Sequence, residues 1–252
     1  MSAPYSLRLF TPAGGNLGAL ADYAGFALAY GQGAVGVCSV TLGNKWKTAQ
    51  AYPPFTRLEV WRSVGGITYL EGERIWFLLD QVDYRDSAGR QMQQLIFYDA
   101  NYILASRYIL AAAESAEADK TDNADDMIKD IVKETIGSEA TAARQVTGLT
   151  VAADNAAATS ITKAFHGRRV IDILNEVCAK ARDNDEALFY DFVRTAENTL
   201  EFRTFMGQRG TNRGKDSAAP LRLTWEGGNL REPSITYNRY GAALHNLAAG
   251  QG

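Results

Sequence analysis

Apolar and polar residues alternate through much of the first hundred positions, the pattern of strands with one buried face. Residues 5–10 alternate and then meet a turn-rich stretch at 11–18. Residues 35–42 are rich in β-branched side chains and free of proline, and residues 57–62 alternate charge with Leu58 and Val60. Residues 74–84 differ. Ile75, Phe77 and Leu79 stand on one face and Trp76, Leu78 and Val82 on the other, so burial on both faces is expected. Asp86-Ser-Ala-Gly89 then supplies turn residues, and residues 92–98 return as a partner strand. The pattern predicts a long hairpin inside a small barrel or sandwich.

The period changes after residue 110. Residues 111–126 are rich in alanine and acids, and Asn123 is placed to cap a helix starting near Ala124, with Asp125 and Asp126 in its first turn. Ile128, Ile131, Val132 and Ile136 share one helix face, and Gly137 stops the helix. Residues 138–162 carry little bulk and read as a surface excursion with short strands at most; 140–158 are the candidates for ordering only on assembly. The clearest helix follows: Val170, Ile173, Leu174, Val177, Cys178 and Ala181 form one apolar stripe, opposite Asp172, Glu176, Lys180, Arg182 and Asp183. Strands are expected at 187–193, 200–206, 221–226, 234–240 and 244–248. Together these elements predict an α+β fold of small antiparallel β-barrel-like domains with inserted amphipathic helices. Its parts would be a β-rich domain at 1–110, a helical and extended insertion at 111–185, and a β-rich segment at 186–252 packed on the helices. Without regular βαβ alternation a doubly wound parallel sheet is not expected.

Composition narrows the function classes. Of 252 residues 46% are apolar, enough for a real core. The net charge of −3 argues against a general polyanion binder while leaving a local basic patch open. Two cysteines, Cys38 and Cys178, make no disulfide framework and fit synthesis in a reducing compartment. The first residues show no signal peptide, and the longest apolar stretch, 26–42, is broken by Gly31, Gln32, Gly33 and Gly36, so no membrane segment is expected.

Candidate chemistry is sparse. His166 and His245 lack further ligands at metal spacing, and Cys178 lies in its helix stripe as a small core side chain. Gly31-Gln-Gly33-Ala-Val-Gly36 satisfies G-x-G-x-x-G, but a strand-like run follows it where a dinucleotide site needs a helix. The alternative is a glycine turn where another backbone approaches closely. Asp119, Asp122, Asp125, Asp126 and Asp130 lack the spacing of a calcium loop and read as charges at a helix start. Trp46, Tyr52, Phe55, Trp61 and Tyr69 are numerous for one region, and several flank the Pro53-Pro54 turn, as satellite core or as an interface or sugar-binding surface. No catalytic, cofactor or metal residues are assigned. Arg168 and Arg169 at a helix start, Arg209 and Arg213 in a glycine-rich loop, and Asn229 are the candidate subunit interface; solvated loop residues are the alternative, and a nucleic-acid contact comes third because neighbouring acids offset the charge.

A resemblance enters at residue 165. Arg168-Arg-Val-Ile-Asp-Ile-Leu-Asn-Glu-Val-Cys178, Leu188-Phe-Tyr-Asp-Phe192, Thr199-Leu-Glu-Phe-Arg-Thr-Phe205, Gly207–Arg213 and Trp225-Glu-Gly-Gly-Asn-Leu230 follow one another in an order that resembles the tail-tip, or baseplate hub, proteins of siphophages infecting Gram-positive hosts. Arg57–Arg62, Gly72–Phe77, Phe97–Tyr102 and Ala124–Ile128 fit as well, so the likeness covers nearly the whole chain. It implies a non-enzymatic virion protein, made in the host cytoplasm and built into a ring, usually a trimer, that closes the tail tube at the tail tip. Implied partners are further copies of itself, the distal tail protein, the tape measure and tail fibre or tip proteins, with DNA passing transiently through the lumen. Such hub proteins are similar to those of contractile tails. They commonly continue beyond the point matching Gly250-Gln-Gly252, so the resemblance implies that a last strand or a fibre-binding part is either missing here or supplied by another chain. The competing reading is a β-rich adhesin that binds a host surface carbohydrate; a hydrolase finds no constellation.

Overall fold

The alternating residues of the first hundred positions assemble into one antiparallel sheet. The structure, a computed structural model, describes residues 5–21, 23–43, 52–64, 66–109, 118–165, 167–197 and 199–207. The sheet holds β1 (Tyr5–Phe10), β2 (Asn16–Ala19), β3 (Tyr23–Ala29), β4 (Val37–Gly43), β5 (Arg57–Val64), β6 (Ile67–Leu70), β7 (Trp76–Arg85) and β8 (Gln91–Asp99). Its order is β2-β1-β5-β7-β8-β4-β3, with β6 hairpinned onto β5. Period-two alternation sends Leu7, Leu9, Cys38, Val40, Leu58, Val60, Leu95 and Phe97 to one face, where they bury with Trp76 and Leu78 as one core. The sheet curls. Tyr5 on β1 and Phe26 on β3 meet edge to face with centroids 4.8 Å apart, although the sheet order separates those strands. The end strands β2 and β3 share no ladder, so the curl does not close into a barrel among the described residues.

Two-sided burial of the long hairpin strand ends early, which corrects the expectation for residues 74–84. Ile75, Trp76, Phe77 and Leu78 are buried, but Asp80–Arg85 are all exposed. The cause is topological. β5 pairs with β7 only at Arg57↔Phe77 and Leu58↔Trp76, then turns away to pair with β6. A register shift between Leu78 and Asp80 re-aims what remains, and β7 continues as a hairpin arm paired with β8. The expected turn closes the arm: Asp86 Oδ1 accepts the amides of Ala88 at 3.0 Å and Arg90 at 2.8 Å.

The remaining elements are α1 (Asn101–Ala105), β9 (Ala118–Asn123), α2 (Ala124–Thr135), β10 (Leu149–Val151), β11 (Ser160–Phe165), α3 (Val170–Asp183), β12 (Leu188–Ala196) and β13 (Thr199–Met206). β12 and β13 pair antiparallel, with β10 added parallel to β13, and β9 pairs antiparallel with β11. All six stripe residues of α3 are buried, in a second core with Ile128, Ile131, Val132 and Ile136 of the α2 region and with Phe192 and Phe202. Each such aliphatic side chain contributes about 1.5–3 kcal/mol when removed from water. Gly137 follows α2 because a Cβ there would stand 2.8 Å from Lys133 Cα.

Two details of the first-turn reading change. Asn123 precedes α2 but its side chain makes no cap, and Asp125 and Asp126 are buried rather than solvated. Asp119 and Asp122 lie on β9, opposite Ala164 and Ile161, so the acidic run is no single helix-start cluster. The fold is therefore α+β, mostly antiparallel sheet with three α-helices among the described residues. No helix among them is long and apolar enough to cross a membrane. The strands expected at 221–226, 234–240 and 244–248 lie outside the described residues.

Candidate functional site

One group of buried polar side chains lies where the curled sheet meets the helical half. Arg74 enters β7 from the turn at Glu71–Glu73, Asp99 ends β8 and Asp191 lies in β12. Arg74 Nη1 donates to Asp99 Oδ2 at 2.5 Å and Nη2 to Asp191 Oδ2 at 2.7 Å, all three residues being buried. One guanidinium thus ties two strands of the sheet to the β12–β13 layer. The Tyr30 ring covers it, 4.9 Å from Arg74 Cζ. Burial pushes the Asp99 carboxyl up, against the pull of Arg74 and of the Gly36 and Asn101 amides.

The glycine motif belongs to the same seam. Residues 31–36 join β3 to β4, and a strand, not a helix, follows them. Gly33 has φ +63°, and its carbonyl accepts Asn175 Nδ2 of α3 at 2.9 Å; Asn175 Oδ1 in turn accepts the Tyr190 hydroxyl at 2.9 Å. A Cβ on Gly33 would sit 2.4 Å from Asn175 Oδ1, and one on Gly36 would sit 2.7 Å from Asp99 Oδ2. These glycines therefore let α3 and the ion pair approach the turn.

Two further clusters repeat the theme. Glu59 of β5, 2% exposed, accepts Arg194 of β12 on one oxygen and Trp61 Nε1 at 2.9 Å on the other. Lys129 Nζ, on the buried side of α2, donates to Asp126 Oδ1 at 2.8 Å, Ala153 O at 2.9 Å and Asn155 Oδ1 at 2.8 Å. Asp126 also accepts the amides of Asn155 and Ala156, and Asp125 that of Ala158. Burial raises the Asp126 carboxyl, but Lys129 and those amides outweigh it and hold the group below the ordinary range. Together they pin 153–158 to the helix.

Burial pushes both cysteine thiols up to about 12, which keeps them protonated at neutral pH. Cys178 lies in the core as its helix position predicts. His166, His245 and Trp46 lie outside the described residues. Among the described residues no three His, Cys, Asp or Glu side chains gather where they could hold a metal ion.

Of the candidate interface residues, the structure places two. Arg168 and Arg169 are exposed beside the start of α3. Arg168 Nη1 and Lys163 Nζ both contact Glu176 Oε2 at 2.9 Å, and these hydrogen bonds hold the Glu176 carboxyl below its usual range. Arg169 Nε reaches the Tyr108 hydroxyl at 3.5 Å. The backbone here anchors the helix start, with Ile109 N donating to Arg168 O and Val170 N to Arg107 O, each at 2.9 Å. Arg209, Arg213 and Asn229 lie outside the described residues. Sequence reasoning did not find Arg74, Asp99, Asp191, Glu59 or Arg194. Their partners are remote in the chain, and only the burial pattern of a folded molecule brings them together.

No protein-family model matches this sequence, and no curated protein matches it. Solved structures do show similarity. A tail protein from Neisseria meningitidis MC58 aligns with a TM-score of 0.45 and 13% identity, over 79% of this chain and 50% of that one. The Escherichia coli c3393 protein, a component of the type VI secretion system described as structurally similar to the T4 bacteriophage tail proteins gp27 and gp5, aligns with a TM-score of 0.42 and 8% identity, over 80% of this chain and 46% of that one. The chain spans about half the length of each.

Proposed function

We propose that this chain is a structural subunit of a bacteriophage tail tip, forming with copies of itself the hub ring that closes the tail tube. The tape measure, the distal tail protein and the tail fibre or tip proteins would be its neighbours, and a trimer is the expected ring. The order of motifs from Arg168 to Leu230 motivates the family, and one structural feature carries the assembly reading. Beyond Leu78, β7 has β8 on one side and no strand on the other among the described residues. Its exposed stretch carries Val82, 45% exposed, and Tyr84, 40% exposed. An open edge with uncovered apolar side chains is a template for pairing with another chain. The buried ion pairs behind it hold the arm's base to the helical half, as a load-transmitting subunit requires. A mildly acidic chain also suits a lumen that passes DNA without holding it.

Light scattering on the full chain tests this, alone and with tail tubes. The wild type should reach the mass of a closed oligomer, and Val82→Lys with Tyr84→Lys should shift it to monomer without changing thermal unfolding. A wild type that stays monomeric even beside tubes, or a double variant that assembles as well as wild type, overturns the reading. Selective hits on a glycan array with no assembly would favour the adhesin instead.

A further inference from the structure

A closed ring puts a condition on the β7 arm. An arm that pairs with the same arm of another copy makes a two-fold contact and stops at a dimer. A ring needs one surface of each copy to meet a different surface of the next. The arm must therefore find a second open edge on its neighbour. Among the described residues β6 is such an edge. It pairs with β5 from Trp61↔Leu70 to Val64↔Ile67, and no described strand lies on its other side. Ile67 is 71% exposed, the most of any large apolar side chain described, and Tyr69 is exposed beside it. The strand Ile67-Thr-Tyr-Leu70 holds no charge and no proline, the usual devices that keep an open edge from pairing.

The two edges match in pattern. Val82 and Tyr84 share one face of the arm, as Ile67 and Tyr69 share one face of β6, each pair a β-branched and an aromatic side chain. Antiparallel pairing with Tyr84 opposite Ile67 and Val82 opposite Tyr69 makes two aromatic–β-branched pairs, a stabilising cross-strand combination. The other edges offer less. On β2 the one large apolar side chain is Leu17, and Gly18 beside it has φ +98°. β3 turns Tyr23, Phe26 and Leu28 to the first core and leaves Ala24, Ala27 and Ala29 exposed. β10 packs Leu149 and Val151 on the second core, and β12 is buried along most of its length. β9 carries Asp119, Lys120 and Asp122.

We propose that the arm of one copy adds as a strand to the β6 edge of the next, residues 81–84 running antiparallel to residues 67–70. The inference rests on the ring reading and names its interface. The occupant of each β6 edge is a second copy of this chain, which donates its arm there and receives another arm on its own β6. The contact repeats head to tail, so closure leaves neither edge open. In this register Asp83 stands opposite Thr68, and both are exposed.

The experiment mixes two full-length variants, each blocked at one edge. The first carries Val82→Lys and Tyr84→Lys, which block the arm, together with Thr68→Cys. The second carries Ile67→Lys and Tyr69→Gln, which block β6, together with Asp83→Cys. Every substituted residue is exposed, so both variants should unfold with wild type. Cys38 and Cys178 are buried, which leaves the introduced thiols to react. Under a mild thiol oxidant the mixture should form a disulfide-linked pair about tenfold faster or more than either variant alone, because pairing raises the effective concentration of the two thiols. Nothing larger should form, since each partner has one edge left. A mixture that crosslinks no faster than its components while wild type forms a closed oligomer overturns the pairing and leaves the ring standing. Fast pairing in the mixture beside a wild type that never closes supports the pairing and overturns the ring. Slow crosslinking beside a monomeric wild type overturns both.

Discussion

Replacing Arg74 with methionine should be among the most destabilising single changes on the sheet. Methionine keeps much of the volume and removes the charge. What stays behind are two carboxylates, Asp99 and Asp191, buried and deprived of the cation that stood 2.5 and 2.7 Å from them. Breaking a buried pair from one side typically costs about 3–5 kcal/mol, most of it the desolvation of the orphaned partner. Against a total stability of about 5–15 kcal/mol that is a large share. At about 2–4 °C per kcal/mol for a domain of this size, the melting temperature should fall by about 6–20 °C. Circular dichroism on heating and in urea measures it. The pH dependence supplies a second check. Burial already raises the Asp99 carboxyl, and losing Arg74 raises it further. A carboxyl whose folded pKa lies above its unfolded value favours folding at low pH, so the deficit should shrink as pH falls toward about 4. Adding Asp99→Asn and Asp191→Asn should recover part of the loss. An Arg74→Met variant within about 1 kcal/mol of wild type at neutral pH, below the range for a broken buried pair, would refute the reasoning.

Other expectations follow from the same contacts. Leu174, 0% exposed in the α3 stripe, should cost about 2–5 kcal/mol as Leu174→Ala, and Leu174→Asp should not fold at all; wild-type-like unfolding of the aspartate variant would sink the packing assignment. Gly36→Ala places a Cβ 2.7 Å from Asp99 Oδ2 and should cost about 1–3 kcal/mol in urea titrations, whereas an unchanged midpoint would deny the close approach. Stability should also fall in acid. Hydrogen bonds from Lys163 and Arg168 lower Glu176, and those from Thr159 lower Glu186; at Asp126, Lys129 and backbone amides outweigh burial. Groups with depressed folded pKa values stabilise fully above the unfolded range near about 4 and lose that contribution as pH drops through their folded values. Asp99 works in the opposite sense, so a urea midpoint unchanged between pH 6 and pH 3 would mean that the depressed carboxylates do not dominate.

Local patterns proved readable where one element decides its own face. The α3 stripe from Val170 to Ala181 follows helical spacing, and all its members are buried. β1, β5, β8, β12 and β13 each lie close to the expected span. The failures have long-range causes. Nothing within residues 74–84 announces that β5 will leave β7 after two pairs, so apolar spacing suggested burial where an exposed arm stands. Asp125, Asp126 and Lys129 showed their i, i+3 and i+4 spacing in the sequence, but whether such a cluster faces water or core depends on the loop at 153–158 that returns over it. Arg74 and Asp191 are 117 positions apart, beyond any periodicity argument.

The most direct test of the tail-hub reading is electron microscopy of the purified full chain, alone and mixed with tail tubes. Discrete rings of fixed symmetry that cap the tube ends are the expected result; isolated monomers lying beside intact, uncapped tubes would contradict it.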